Sequence, residues 1–309
     1  MNAVSVENNI VSGNPHGAIW LTCYSKTQPP EPESSPRPLL VVCSAMGTRQ
    51  ESYRQFATWC VTAGWDVVTF DYRGIGQSRD PRFPAASDLS LLDWATQDIP
   101  AILEWVKTHR NPRHIVALGH SIGGQLLGLS PDPNALDAIV LVSSQKGYWR
   151  FWPRPARYLM RFGWGLIATY ARTLGELTLM RLAKCDPLPR QIALDWARWG
   201  TSPWFTDQSG RIVDTRFARY SGPLWAISIE DDWLYAPQKA VDHLTRLYQQ
   251  CTPTCLRLAP RHFRLNALGH SGLFRAPECQ QFWHELLGQI RHRVEPPVQP
   301  ERRNHEYLN

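Results

Sequence analysis

Short runs of apolar, mostly β-branched residues recur along the chain, with helix-like stretches between them. Six such runs stand out, at 39–43, 66–70, 114–118, 138–142, 224–229 and 255–258. Continuous apolar strands that alternate with helical patterns are typical of a parallel sheet covered on both faces. The pattern therefore predicts an α/β fold, with a mostly parallel central sheet flanked by helices.

Two of the intervening stretches have the apolar periodicity of amphipathic helices. In 92–106, apolar residues recur at i, i+3 and i+4 spacing, Ser90 with Asp93 predicts a capping box, and Pro100 predicts a kink. The stretch 277–290 begins with a proline, which suits the first turn of a helix. We expect both helices to lie on the sheet with their apolar faces inward.

Three segments depart from this alternation. The segment 26–38 is polar and rich in proline, which predicts an extended surface loop, and the polar tail 298–309 is predicted to be disordered. The segment 148–205 carries six of the 14 tryptophans and is interrupted by prolines. It predicts a helical insertion into an α/β core formed by 1–147 and 206–297.

Charge is concentrated in the same insertion. The chain of 309 residues has a formal net charge of +6, and the insertion alone has nine Lys and Arg against three acids, which is the same excess. No apolar run is long enough to span a membrane. No zinc-finger or RNA-reading signature favours nucleic acid as a partner.

Cysteine usage and the first residues bear on the compartment. The seven cysteines are scattered, odd in number and without a Cys-x-x-Cys pair, which argues against a disulfide framework and a structural zinc site. Residues 1–17 contain no Lys or Arg and no long apolar stretch. We therefore expect a cytoplasmic protein, and no metal or organic cofactor is implied.

A candidate nucleophile follows the third apolar run. The string Gly119-His-Ser-Ile-Gly123 lies between that run and helix-forming residues. A serine on such a tight strand-to-helix turn needs small residues two positions to either side, and the turn lifts its hydroxyl above the sheet edge. The amino terminus of the following helix favours developing negative charge. Ser121 is therefore the predicted nucleophile.

A serine hydroxyl needs a base to take its proton, and the base needs a partner that holds its tautomer. After a turn of this kind the order along the chain is Ser, acid, His. His270 lies between glycines after the last predicted strand, and we prefer it to His262. Asp232 follows shortly after the predicted strand 224–229, and we prefer it to Asp231 as the acid.

The reaction also needs two backbone N–H groups that bind the oxyanion. One is expected from Ile122, the residue after the nucleophile. The other is expected from the loop 44–47 after the first predicted parallel strand, with Met46 as the first choice and Ala45 as the alternative.

These motifs together resemble those of α/β-hydrolases in the serine esterase and serine aminopeptidase (S33)-like group. The resemblance extends over about 20–292 and is clearest at 44–47, 71–78, 119–124 and 269–272. It implies the α/β-hydrolase fold and makes the insertion a cap over the serine. The family usually has His-Gly in the oxyanion loop, whereas this chain has Ala45-Met46-Gly47.

The resemblance and the residues predict an enzyme that hydrolyses an ester, thioester or amide of a small-molecule acyl substrate through an acyl-serine intermediate. Acyl transfer on the same triad is one alternative, since it differs only in whether water is excluded. A non-catalytic binding protein that uses the basic, Trp-rich cap is the other.

Three interpretations of the cap remain open. Its tryptophans and arginines could form a pocket for a substrate with an anionic end. They could touch a membrane peripherally, because Arg157 and Arg161 lie one helical turn apart beside Phe162 and Trp164. They could also simply pack, with tryptophan inward and arginine in water.

Overall fold

The computed structural model of the protein describes residues 4–12, 17–27, 36–80 and 88–295. Within these residues eight strands form one sheet. They are β1 (Val4–Val11), β2 (Ile19–Lys26), β3 (Leu39–Cys43), β4 (Asp66–Phe70), β5 (Ile115–His120), β6 (Ala138–Val142), β7 (Leu224–Ile229) and β8 (Thr254–Leu258). Their order across the sheet is β1-β2-β4-β3-β5-β6-β7-β8.

The α-helices of the described residues flank this sheet or lie between its strands. They are α1 (Arg54–Thr62), α2 (Leu91–Asp93), α3 (Ile99–Arg110), α4 (Ile122–Leu129), α5 (Ala156–Leu174), α6 (Arg190–Thr201), α7 (Gln238–Thr245) and α8 (Gln280–Val294).

The predicted fold class is confirmed. Strands β3 to β8 pair in parallel, and they correspond to the six apolar runs. Strands β1 and β2 add an antiparallel edge that the apolar pattern did not predict. The reason is visible in β1, whose residues are mostly half-buried or exposed, so that it has no continuous apolar run.

The sheet separates two apolar cores, because successive residues of a strand point to opposite faces. In β3, Val41 belongs to the core that also contains Ile102 of α3, whereas Val42 belongs to the core that contains Trp283 of α8. Parallel strands buried on both faces place their carboxyl ends, and the loops that follow them, at one edge of the sheet.

The predicted capping box is confirmed, whereas the stretch 92–106 is not one regular α-helix. Ser90 and Asp93 form the expected capping box. A π-helical turn at Trp94–Asp98 interrupts the regular α-helical pattern, and Pro100 lies in the first turn of α3 directly after it. A 3-10 turn at Pro277–Cys279 leads into α8.

The segment between β6 and β7 contains α5 and α6, which pack against each other. Four of the six tryptophans in 148–205 are buried: Trp149, Trp152, Trp164 and Trp199. The packing interpretation therefore holds for these four. The predicted loop 26–38 is described only at its ends, and the tail 298–309 lies outside the described residues.

Two further expectations can be compared with the structure. All seven cysteines are free, and four of them are buried. In the described part of the chain, no helix combines the length and the apolar character that crossing a membrane requires.

A buried lysine supports the junction between β6 and α6. Lys146 Nζ donates to the carbonyl oxygen of Trp199 at 2.6 Å and lies 4.3 Å from the ring centroid of Phe205. Burial lowers the pKa of Lys146 to about 7, with Asp214 opposing the shift. Because the pKa of Lys146 differs between the folded and the unfolded chain, the two states bind different numbers of protons over part of the pH range.

This difference predicts a pH-dependent stability. Between about pH 7 and about pH 10 the unfolded chain retains a proton on Lys146 that the folded chain has released, so the free energy of unfolding rises with pH. One such proton contributes a slope of up to about 1.4 kcal/mol per pH unit. Lys146→Met should remove this contribution in urea unfolding curves measured across the range. Parallel pH dependences of the two proteins would contradict the prediction.

Candidate active site

Ser121 lies at the sharp turn between β5 and α4, as the sequence predicts. Its backbone has φ 56° and ψ −116°, which is a strained conformation for a residue with a side chain. A Cβ on Gly119 would lie 2.4 Å from the backbone of Gly124, and one on Gly123 would lie 2.1 Å from the carbonyl oxygen of Cys43. The glycines are therefore needed because backbone segments approach each other closely around the serine.

The space around each glycine predicts opposite effects for two substitutions to alanine. Gly123→Ala should destabilise the protein by about 1–3 kcal/mol, because β3 cannot move away from the new methyl group. Gly288→Ala, on α8 with nothing within 4 Å, should stabilise it by up to about 1 kcal/mol through helix propensity. Thermal unfolding of both variants tests the prediction, which fails if Gly123→Ala unfolds at or above the wild-type temperature.

His270 and Asp232 are joined directly. His270 Nδ1 lies 2.6 Å from Asp232 Oδ2, and Asp232 is buried at the end of β7. Asp231 has a different contact: its Oδ2 accepts hydrogen bonds from the backbone N–H groups of Leu268 and Gly269, at 2.9 and 3.1 Å. One aspartate thus orients the imidazole, and its neighbour holds the loop that carries it.

The structure brings Ser121 to the same edge of the sheet but does not close the chain of hydrogen bonds. In the described residues the imidazole of His270 bonds Asp232, whereas no hydrogen bond joins it to the hydroxyl of Ser121. The two are linked through the residue that precedes the serine, because His120 Nε2 lies 2.8 Å from the carbonyl oxygen of His270. His262 is exposed, and its Nδ1 accepts from the N–H of Ala259 at 3.3 Å.

A buried hydrogen-bond chain through Tyr53 and His120 ties three loops together. The Tyr53 hydroxyl accepts from the N–H of Ala45 at 3.0 Å and lies 2.7 Å from His120 Nδ1. Its single proton therefore points to Nδ1, and Nε2–H donates to the carbonyl oxygen of His270. Burial, reinforced by the neighbouring imidazole of His270, holds the pKa of His120 well below its usual value.

The hydrogen bonds of Tyr53 also help to choose between the two candidate oxyanion donors in the loop 44–47. The N–H of Ala45 is already bound to Tyr53, whereas in the described residues the N–H of Met46 has no hydrogen-bond partner. The N–H of Ile122 is the first of α4 and has no partner within the helix. These contacts favour Met46 over Ala45 as the donor of the loop 44–47.

A mostly apolar cavity of about 180 Å³ opens at the serine. Ser121, Met46 and Ile122 are among the residues that line it. Half of its lining comes from the segment 148–205, including Trp152, Met160, Trp164, Ile167 and Trp196. The predicted nucleophile and both predicted oxyanion donors therefore face one small apolar space.

Sequence reasoning did not single out Tyr53, Gln125 or Gln145. The two glutamines are buried and line the cavity, and Gln125 Nε2 donates to the carbonyl oxygen of Gln145 at 2.6 Å. Tyr53 had no signal in the sequence, since its partners lie in other loops. No cluster of three or more potential metal ligands occurs within the residues that the structure describes.

Comparison of the sequence with protein families supports a hydrolase. The family described as serine aminopeptidase, S33 matches residues 34–186, which include the loop 44–47 and the motif around Ser121. No curated protein matches the chain.

Solved structures resemble the chain over nearly its whole length. A hypothetical protein from Pseudomonas aeruginosa is 14% identical with a TM-score of 0.60, and the match covers 94% of each chain. Alpha/beta hydrolase domain-containing protein 10 from mouse is 10% identical with a TM-score of 0.55, over 92% of this chain and 98% of that one. Brefeldin A esterase, a bacterial homologue of human hormone-sensitive lipase, is 15% identical with a TM-score of 0.56, over 95% and 78%.

Proposed function

We propose that the protein is a serine hydrolase that cleaves an ester, thioester or amide bond through an acyl-serine intermediate, since residues 34–186 match the serine aminopeptidase, S33 family and the chain has the fold of an alpha/beta hydrolase. Ser121 is the nucleophile, His270 the general base and Asp232 the residue that orients it. The N–H groups of Met46 and Ile122 form the oxyanion hole.

The observation that carries this proposal is the pairing of His270 with Asp232 near an apolar cavity that Ser121 lines. With Nδ1–H donating to the carboxylate, Nε2 of His270 is left to accept the proton of the serine hydroxyl. The serine oxygen then attacks the carbonyl carbon, and the two free N–H groups stabilise the negative oxygen that develops.

The second half of the reaction reverses these roles. The imidazolium of His270 gives its proton to the leaving group as the bond between that group and the acyl carbon breaks, and the acyl group remains on Ser121. His270 then takes a proton from water, which attacks the acyl carbon, and passes that proton to Ser121 Oγ as the acid is released. The hydrogen bond between Ser121 and His270 forms in the substrate complex, because catalytic hydrogen bonds are often long before the substrate binds.

The insertion 148–205 acts in this proposal as the cap of a core formed by 1–147 and 206–297. Its support is that half of the lining of the cavity comes from the insertion. The size and apolar lining of the cavity favour a short acyl group and an ester substrate. Brefeldin A esterase, among the similar folds, is itself an esterase.

Turnover of short-chain p-nitrophenyl esters tests the proposal. The purified protein should hydrolyse the acetate and butyrate esters and lose activity as the acyl chain outgrows the cavity. Adding an alcohol or amine acceptor shows the fate of the acyl group, since a hydrolase releases the free acid. Failure to turn over any ester, thioester or amide in such a series would refute the proposal.

A further inference from the structure

Large apolar side chains remain exposed in one region of the molecule. In the described residues, all such side chains except Val6 and Ile10 lie between residues 158 and 235. Exposed apolar side chains that cluster, rather than lie singly, mark interaction sites in soluble proteins. The concentration around the insertion therefore indicates an interaction surface.

The exposed apolar residues of α5 share one side of the helix. Leu159 is 71% exposed, Phe162 66%, Leu166 54% and Tyr158 52%. Their spacing of three, four, seven and eight residues stacks them along the helix axis. The opposite side of α5 contains the buried Trp164, so the helix presents an outer apolar stripe in addition to its inner one.

This outer stripe is continuous with the mouth of the cavity. Leu159 is both exposed and part of the cavity lining, and the same is true of Leu234 and Tyr235 from the loop after β7. Trp233, in that loop, is also exposed. An apolar molecule could thus pass from the stripe to Ser121 along apolar surface.

Uncompensated positive charge lies beside the stripe. In the described residues, Arg154, Arg157 and Arg161 form no ion pair with a carboxylate; Arg161 lies over the ring of Trp149, and Arg157 bonds the hydroxyl of Tyr158. These arginines precede or occupy the first turns of α5.

The acids of the insertion do not neutralise them, because each is paired elsewhere. Glu176 binds Arg79, Asp186 binds Arg49 at 2.7 Å, and Asp195 binds Arg198 at 2.9 Å. The positive charge on this side of α5 is therefore available to an external anion.

We propose that the exposed stripe of α5 docks the mouth of the cavity onto the surface of an anionic lipid bilayer. Apolar side chains flanked by arginines are the composition of helices that lie in the plane of a membrane interface. Phe162 and Leu166 enter the acyl boundary, while Arg157 and Arg161 bind the anionic headgroups. This deepens the proposed function, since the acyl substrate would enter the cavity directly from the bilayer.

Flotation with vesicles of defined composition tests the docking without any turnover. At low salt the protein should float with vesicles of phosphatidylcholine containing about 30% phosphatidylserine. With vesicles of phosphatidylcholine alone it should remain unbound at the bottom of the gradient. Raising the salt to about 0.5 M should release it, because surface electrostatics are screened over a few ångströms.

Two paired variants identify the surface. Phe162→Ser with Leu166→Ser should lower the bound fraction at least tenfold, because both apolar side chains that enter the acyl boundary are lost. Arg157→Gln with Arg161→Gln should weaken partitioning about thirtyfold, because each arginine near an anionic surface contributes about fivefold. Hydrolysis of a water-soluble ester should be unchanged in the first pair, since neither residue lines the cavity.

Matched controls remove the same groups elsewhere. Val6→Ser with Ile212→Ser exchanges two comparably exposed apolar residues, and Arg246→Gln with Arg257→Gln removes two exposed charges. Both controls, and Ser121→Ala, should float like the wild-type protein. This last result separates docking from catalysis, since it is independent of the nucleophile.

Two outcomes would overturn the proposal. In one, the wild-type protein remains unbound to anionic vesicles at low salt, or the Phe162 and Leu166 variant floats as well as its control. In the other, sedimentation shows a dimer that the same variant dissociates while neither protein binds vesicles, so that a second copy covers the stripe. Either result leaves ester hydrolysis by Ser121 to be judged on its own assay.

Discussion

Replacing Ser121 with alanine is expected to lower kcat for a short-chain ester by at least about a thousandfold. In the proposed mechanism the hydroxyl oxygen forms the covalent intermediate, and no neighbouring group can take its place. The apolar cavity and the N–H groups of Met46 and Ile122 remain in the variant. Binding of a non-hydrolysable ether analogue of the ester, measured directly by calorimetry, should therefore change little.

The fold of the variant should also be retained. Ser121 has a positive φ, and alanine tolerates this conformation no worse than serine does. Thermal unfolding within a few degrees of the wild type would show that the loss is chemical. Equal residual turnover by Ser121→Ala and the wild type would mean that ester cleavage occurs elsewhere or not at all.

Replacing Asp232 with asparagine is expected to lower kcat by about ten-thousandfold, the loss seen when a triad aspartate is changed in this way. The carboxylate accepts a hydrogen bond from Nδ1–H of His270, at 2.6 Å. An asparagine amide can instead donate to Nδ1, which leaves the proton on Nε2. In that tautomer His270 cannot take the proton of Ser121.

Asp231→Asn provides the matched control for this substitution. Asp231 Oδ2 accepts from the N–H groups of Leu268 and Gly269, and an amide oxygen can accept from both. We expect kcat within about tenfold of wild type, because only charge assistance in two hydrogen bonds is lost. If Asp231→Asn loses more activity than Asp232→Asn, the assignment of the acid is wrong.

Much of the parallel sheet could be predicted from the sequence, because strands buried on both faces leave long apolar runs. Each of the runs at 39–43, 66–70 and 138–142 coincides with a strand of the structure. The edge strand β1 could not be predicted in this way, since only one of its faces is partly covered. Its pairing with β2 is set by backbone hydrogen bonds that residue type does not encode.

The candidate site could likewise be predicted only in part from the sequence. Gly119 and Gly123 predict the tight turn at Ser121, because only glycine fits where two backbone segments lie within van der Waals distance. The link from Tyr53 to His120 leaves no such trace, since it depends on loops from β3 and β5 meeting in space. The choice between Asp231 and Asp232 likewise depended on which carboxylate faces His270 after folding.

The stripe on α5 illustrates a further limit. The sequence places arginines beside aromatic residues in the insertion, but it does not say which aromatic side chains are buried. In the structure Trp164 packs inward, whereas Phe162 remains in solvent. The side of a helix that faces the core is set by the packing of α5 on α6, which the local pattern alone does not determine.

Mass spectrometry of the protein after reaction with a fluorophosphonate tests the central claim most directly. The account predicts a single adduct on the peptide that contains Ser121, which is slowed strongly in His270→Ala and is absent in Ser121→Ala. An adduct on another serine, or labelling of Ser121 at the same rate without the imidazole of His270, would contradict it.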